Sequence, residues 1–281
     1  MKQRLPIYRM TTKFTTSDLK KLWRPRAESS GEDNGQVTII GGSSLFHGAP
    51  MLSIKAASRL VDMVFFASQE KHLEQVAKLN SFIWIPWEEL ESYVAKSDAI
   101  LIGPGLMRYH KNISDDVLDE AGTETKMLTK YLLHKFAHKK WVIDGGSLQV
   151  MNPNWIPPRA IVTPNAKEFK ILFGGMKPAA AALKYKCVVI SKGPTSYVTN
   201  GKTTYEISGG NAGLTKGGTG DVLAGIVAGL LAKNDALLAA AAGSFIIKKA
   251  AESLAKTVGT NFNADDVSEN VFKIWKSLVD K

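Results

Sequence analysis

Gly210-Asn-Ala-Gly-Leu-Thr-Lys-Gly-Gly-Thr-Gly-Asp221 runs straight into the apolar stretch Val222-Leu-Ala-Gly-Ile-Val-Ala-Gly-Leu-Leu-Ala232. Gly217, Gly218 and Gly220, with Thr219 among them, let backbone amides turn toward an anion, and a helix built from the apolar run adds positive potential at its first turn. The stretch reads as a phosphate-holding turn. The Asp221 carboxylate then stands where a hydroxyl attacking that phosphate needs a base. A tight loop closed by Asp221 as a helix cap is the plainer reading, and on this stretch alone the two stand level. The remainder of the chain has to separate them.

With 281 residues, 44% of them hydrophobic and 22% charged, the chain is long enough to bury a full core in one large domain. Cys187 is the single cysteine and lies in Cys187-Val-Val-Ile190, so an internal disulfide is excluded and a buried thiol in a reducing cytoplasm is expected. Val222 to Ala232 and Ala236 to Ile247 are each too short to cross a bilayer. The opening Met1-Lys-Gln-Arg-Leu-Pro-Ile-Tyr8 lacks the apolar segment of a secretory signal, so no membrane partner is expected. A formal net charge of +10 raises nucleic acid as a partner. The excess is spread over pairs such as Lys20-Lys21, Lys139-Lys140 and Lys248-Lys249, which read as solvated surface charge that attracts anionic small molecules rather than nucleic acid.

Residues 1–34 are polar and read as an N-terminal extension with at most a short helix after Thr15-Thr-Ser-Asp18; residues 35–281 form the domain. Strands are expected at Val37–Ile40, Met63–Ala67, Phe82–Ile85, Ala99–Ile102, Trp141–Ile143, Ala160–Val162 and Val188–Ser191. Helical stretches at Met51–Leu60, Glu70–Leu79, Glu88–Ala95, Glu124–His138 and Lys167–Phe173 alternate with them, a pattern of a mainly parallel sheet with helices on both faces. Ser196–Thr199 and Thr203–Ile207 flank Asn200-Gly201, which predicts a hairpin forming a small antiparallel edge. The last third reads as helices, with Gly225-x-x-x-Gly229 serving close core packing. Several strands end in turns, Gly41-Gly-Ser-Ser44, Gly103-Pro-Gly105, Asp144-Gly-Gly-Ser147 and Thr163-Pro-Asn165, and in an open parallel sheet such turns converge on one ligand crevice.

Taken in order, Gly48-Ala-Pro50, Gly103-Pro-Gly105, Asp144-Gly-Gly-Ser-Leu148, Thr163-Pro-Asn-Ala-Lys-Glu-Phe169, Lys192-Gly193 and the glycine-rich turn ending at Asp221 resemble the nucleotide-dependent NAD(P)H-hydrate dehydratases of the ribokinase-like superfamily. The resemblance runs from about Gln36 to Leu278, and the chain is short for the epimerase domain often fused to this family. It implies a substrate that is the hydrated, inactive form of NADH or NADPH. ADP or ATP, with Mg2+, would phosphorylate the added ring hydroxyl, and loss of phosphate would restore the cofactor. Asp221 would take the hydroxyl proton while the amides around Gly218 and Gly220 hold the charge of the migrating phosphate. Ala49, Gly105, Asn165 and Asp221 would bind the hydrate. Lys192, Gly193, Pro194, Thr195, Ser196 and Gly220 would bind the nucleotide. Thr219 matches the prokaryotic, ADP-using branch better than the eukaryotic one, and a homo-oligomer is the family expectation.

Two departures stand out. Asn165 replaces a histidine of many bacterial members, which removes a titrating group, and with Glu168 it is equally readable as a helix-capping pair. Asp144-Gly-Gly-Ser147 lacks the second carboxylate of the family's turn, which leaves Asp144 a structural role first and help with magnesium second. His47 beside Gly48 could touch a phosphate but, with no partner carboxylate, reads as a loop histidine; His72, His110, His134 and His138 show no metal-ligand spacing, so no protein-held metal is expected. The competing functional readings are a ribokinase-like kinase of a small alcohol such as a thiamine or pyridoxine precursor, and a non-catalytic protein that binds nucleotide or nucleic acid.

Overall fold

A computed structural model describes residues 10–70, 72–73, 80–109 and 119–279. One ten-stranded sheet runs through it, built from β1 (Met10–Lys13), β2 (Gln36–Ile40), β3 (Met63–Ala67), β4 (Ile83–Trp84), β5 (Ala99–Ile102), β6 (Lys140–Ile143), β7 (Ile161–Val162), β8 (Val188–Ser191), β9 (Ser196–Thr199) and β10 (Thr203–Ile207). Their order is β1-β10-β9-β8-β7-β6-β5-β2-β3-β4. Every neighbouring pair is parallel except the two that β9 makes with β8 and β10. The helices between and after them are α1 (Gly48–Ala57), α2 (Leu90–Lys96), α3 (Glu120–Lys135), α4 (Gly145–Val150), α5 (Ala166–Phe173), α6 (Pro178–Tyr185), α7 (Thr219–Lys233), α8 (Ala236–Val258) and α9 (Ala264–Val279).

Alternation along each strand sends successive side chains to opposite faces, and the core divides accordingly. Ile39, Leu101 and Val142 pack with residues of α1, α7, α8 and α9 on one face. Ile40, Ile100, Ile102, Trp141 and Ile143 pack with residues of α2, α3, α5 and α6 on the other. Both faces are therefore covered, as continuous apolar strand sequences require.

Three expectations need adjustment. The Asn200-Gly201 hairpin forms, with the Asn200 side chain accepting from Lys202 N and Thr203 N, but it is not the edge of the sheet. Residues 10–13 add β1 outside β10, and Phe14, Leu19 and Leu22 are buried in the α7–α9 core. Met10-Thr-Thr-Lys13 is too short and polar to signal a strand, because its stability comes from a partner almost two hundred residues away. The short α4 and α6 add to the expected helices; glycines mask the first, while Lys177-Pro178 marks the second with a proline at the helix start. The helix expected over Glu70–Leu79 falls largely outside the described residues.

Helix α7 is apolar all round and buried from Val222 to Ala232. It packs on α1 so closely that a β-carbon at Gly225 would lie 2.3 Å from the Ser53 carbonyl oxygen. Glycine at this point of the 225/229 pair thus serves intramolecular packing. Alanine would ordinarily gain about 1 kcal/mol of helix propensity, but a clash with fixed backbone outweighs it. Gly225→Ala is expected to cost about 2–3 kcal/mol and to lower the melting temperature by roughly 5–10 °C, measured by calorimetry; an unchanged melting point would contradict this packing account.

Candidate active site

Chain topology reverses between β2 and β5: from β2 the chain moves outward to β3 and β4, then returns to the other side of β2. A crevice opens at such a point beyond the carboxyl ends of the strands. The turns after β2, β5, β6, β7 and β8 meet there around a cavity of about 870 Å³. The first turns of α1, α4, α5 and α7 contribute Ala49, Gly145, Asn165 and Asp221 to its wall, so several helix N-termini face one space and favour anions in it.

Gly218 precedes α7 with φ of 90°, a left-handed conformation that glycine adopts without strain. The Thr219 hydroxyl lies 2.7 and 2.9 Å from the carbonyls of Leu214 and Lys216, which pins the turn from inside. From outside it is tied to α8, where Glu252 accepts from Gly210 N and the Asn211 amide donates to the Ala251 carbonyl. Lys216 donates to the Thr260 and Phe262 carbonyls at 2.7 and 2.6 Å. The turn is held from three directions, so its amides are fixed before any ligand arrives.

Asp221 is the third residue of α7, not its cap, and lines the cavity. Burial pushes its carboxyl up to about 7, the negative Asp144 adds to the rise, and Lys192 partly offsets both. Lys192 Nζ stands 3.7 Å from Asp144 Oδ1, and a methyl group at position 220 would come within 3.4 Å of it. Its ammonium therefore lies between a buried carboxylate and the glycine turn rather than out in solvent. Asp144 also accepts from the Thr163 hydroxyl.

Asn165 both caps α5 and lines the cavity. Its Oδ1 accepts from Lys167 N and Glu168 N, and Glu168 returns a bond to Asn165 N. With Oδ1 committed, the amide nitrogen is the donor left to a ligand. Burial also raises the Glu168 carboxyl above its ordinary value. Ala49, Gly105, Asn165, Lys192, Gly193, Pro194, Ser196, Gly218, Gly220 and Asp221 all line this one cavity, whereas Thr195 is not among its lining residues.

Lys248 corrects the reading of Lys248-Lys249 as surface charge. It is 4% exposed, and its ammonium donates to the Gly193, Pro194 and Gly209 carbonyls at 3.0, 2.7 and 2.9 Å. Those bonds join the β8–β9 turn to the start of the anion turn. The signal was helical spacing: Ala241, Ser244 and Ala251 sit seven and four residues before and three after Lys248, and all are buried. Desolvation draws its ammonium below the usual lysine range.

Among the described residues no three His, Cys, Asp or Glu side chains converge as a metal cage, and no helix is long and apolar enough to cross a membrane.

Comparison with known proteins follows the same lines. A family model described as NAD(P)H-hydrate dehydratase matches residues 37–273. The ADP-dependent (S)-NAD(P)H-hydrate dehydratase of Nitrosopumilus maritimus is 31% identical over 295 residues, covering 95% of this chain and 98% of that one. The bifunctional NAD(P)H-hydrate repair enzyme of Methanocaldococcus jannaschii is 32% identical over 273 residues, covering 92% of this chain and 52% of that one; against such bifunctional relatives the chain spans about half their length. In structure, the ADP/ATP-dependent NAD(P)H-hydrate dehydratase of Bacillus subtilis, co-crystallised with ATP and Mg2+, superposes with a TM-score of 0.78 at 20% identity, covering 95% of this chain and 98% of that one. The architecture is ribokinase-like.

Proposed function

Because this chain belongs to the NAD(P)H-hydrate dehydratase family, we propose that it restores NADH or NADPH from the hydrated nicotinamide cofactor, with ADP as the preferred phosphoryl donor and ATP as the alternative. The observation that carries this reading is the Asp221 carboxyl, half-buried at the glycine turn in the cavity that Ala49, Gly105 and Asn165 also line. Asp221 takes the proton of the ring hydroxyl as it attacks the terminal phosphoryl group. The amides of Gly218 to Gly220 and the α7 dipole hold the charge that spreads over the transferring group, with the Lys192 ammonium beside them. The hydroxyl oxygen leaves with the phosphoryl group as inorganic phosphate, the neighbouring ring carbon gives up a proton to solvent, and the ring double bond returns. ADP plus hydrate thus yields AMP, phosphate and the reduced cofactor.

Lys192 to Ser196 form the nucleotide side and the Ala49, Gly105 and Asn165 turns the hydrate side. Thr195 supports its segment from outside the cavity. Mg2+ would enter with the nucleotide phosphates, with Asp144, which lines the cavity together with Glu168 and Asp221, placed to help hold it; when bound it would neutralise phosphate oxygens. The buried Cys187 thiol, pushed up to about 12 by desolvation, is inert and compatible with a reducing cytoplasm.

The test is incubation with NADH hydrate and ADP or ATP, following both reduced-nicotinamide absorbance and phosphate release. Recovery of absorbance with one phosphate released per NADH supports the reading. A stable phosphoester with no NADH would instead identify a small-alcohol kinase, and salt-sensitive DNA or RNA binding without turnover a non-catalytic protein.

A base must be unprotonated to work. With the Asp221 carboxyl raised to about 7, kcat/KM for the hydrate is expected to climb tenfold per pH unit below about 7 and to level off above it. A profile flat from pH 5.5 to 8.5 would remove Asp221 as the titrating base.

A further inference from the structure

Among the described residues four cationic side chains line the cavity: Arg108, Lys192, Lys216 and Lys248. Three of them are committed within the protein, Lys192 to Asp144, Lys216 to two carbonyls and Lys248 to three. Arg108 is exposed at the cavity and differs from them. Its guanidinium lies 5.8 Å from the centre of the Phe46 ring, and one nitrogen stands 3.5 Å from Gln149 Oε1. A guanidinium offers five donors in a planar fork, and one long contact to a neutral amide leaves most of them, and the whole charge, for a ligand.

The surroundings hold this group in place. Gly105 has φ of 74°, and a β-carbon there would lie 2.4 Å from the Phe46 carbonyl oxygen, so the loop bearing Phe46 rests directly on the turn that leads to Arg108. The exposed Phe46 ring gives the guanidinium a cation–π neighbour at 5.8 Å. Gln149 is itself oriented, donating through Nε2 to the buried Glu168 at 3.2 Å. Arg108 is thus flanked by Phe46 and Gln149 in the cavity that Ala49 and Gly105 also line.

Resting on the functional reading above, we propose that Arg108, braced by Phe46 and Gln149, binds a phosphate group of the dinucleotide substrate and so sets affinity for the hydrate. With the nicotinamide ring at Asp221, the rest of the dinucleotide extends along the cavity and carries its own anions. Bidentate pairing suits guanidinium and phosphate, and Arg108 is the cation with that capacity unspent. Two phosphates have this chemistry: the pyrophosphate shared by both hydrates, and the 2′-phosphate of the NADPH form alone.

Steady-state kinetics of Arg108→Gln at saturating ADP, with each hydrate in turn, separate them. KM for NADPH hydrate is expected to rise about tenfold or more, the scale of a lost charge-assisted bond, with kcat and melting temperature unchanged and Arg108→Lys recovering part of the loss. An equal rise for NADH hydrate assigns the pyrophosphate; a rise confined to NADPH hydrate assigns the 2′-phosphate. KM unchanged for both overturns the proposal. Fluorescence titration of NADPH and NADH into wild type and variant reads the same subsite without turnover. An inactive wild type that still loses NADPH affinity on Arg108→Gln would therefore sink the functional reading and leave the subsite standing, while equal affinity of wild type and variant for both nucleotides would sink the subsite.

Discussion

Asp221→Asn is expected to lower kcat for hydrate turnover by about 10²–10⁴-fold, the range that a positioned general base contributes, while nucleotide KM stays within about threefold. Asparagine keeps the shape of the side chain, and the backbone at this point is fixed independently, with the Ser53 hydroxyl donating to the Asp221 carbonyl at 2.8 Å. The loss is thus a loss of proton acceptance rather than of structure. The same substitution has an opposite effect on stability. A carboxyl raised to about 7 in the folded state contributes favourably below its unfolded value near 4, and that contribution disappears as pH rises through about 7. Above pH 8 the native protein must hold a charged, half-buried and partly desolvated carboxylate near the negative Asp144. Asp221→Asn is therefore expected to melt higher than the native protein at pH 8 and to lose that advantage toward pH 4. Lower activity with higher alkaline stability marks a group kept for chemistry at the expense of the fold; a variant that is both slow and unstable at pH 8 would point to structural damage instead.

Lys248→Met should produce the second large effect. Methionine matches the lysine stem but leaves the Gly193, Pro194 and Gly209 carbonyls without their shared donor. Gly193, Pro194 and Gly209 are exposed, so their carbonyls can turn to water and the cost is that of three net hydrogen bonds, about 1 kcal/mol each; the loss in stability is about 2–3 kcal/mol and the melting temperature falls by roughly 5–10 °C. Function suffers through position. Gly193 and Pro194 belong to the nucleotide segment, and Gly209 adjoins the anion turn, so the variant frees the two nucleotide-side loops from each other. Nucleotide KM is expected to rise at least tenfold, with kcat at saturating nucleotide within about threefold of the native value. A purely structural lysine would lower the melting temperature and leave KM alone.

How much of this is open to inspection in the chain itself differs from residue to residue. The glycine turn and Asp221 are legible because local chemistry defines them: positive φ, exposed amides and an acidic first helical turn lie within a dozen residues. Gly105 and Asn165 are legible as strand-end turns because parallel topology gathers such turns at one place, whereas Ala49, inside the first turn of α1, enters only through the family resemblance. Asn165 serves two purposes at once, capping α5 and lining the cavity, which a choice between the two readings hides. Lys248 escapes because a lysine beside another lysine on a helix looks solvated; its burial depends on which face of α8 meets the β8–β9 turn, a long-range fact. β1 escapes for the same reason, since four residues, three of them polar, become a strand only against the free edge of β10. Arg108 carries no local signal because its neighbours, Phe46 and Gln149, come from a loop 62 residues before it and from α4, 41 residues after it.

The central claim, that the ring hydroxyl of the hydrate becomes a phosphate ester at the glycine turn and leaves as phosphate, is tested most directly by the fate of its oxygen. Hydrate prepared in ¹⁸O-water carries the label in that hydroxyl, and turnover with unlabelled ADP in ordinary water is expected to deliver one labelled oxygen into each inorganic phosphate, read by mass spectrometry. Label appearing in water, with unlabelled phosphate, would contradict phosphorylation of the hydroxyl and with it the roles of the Asp221 carboxylate as base and the Gly218–Gly220 amides as phosphoryl cradle.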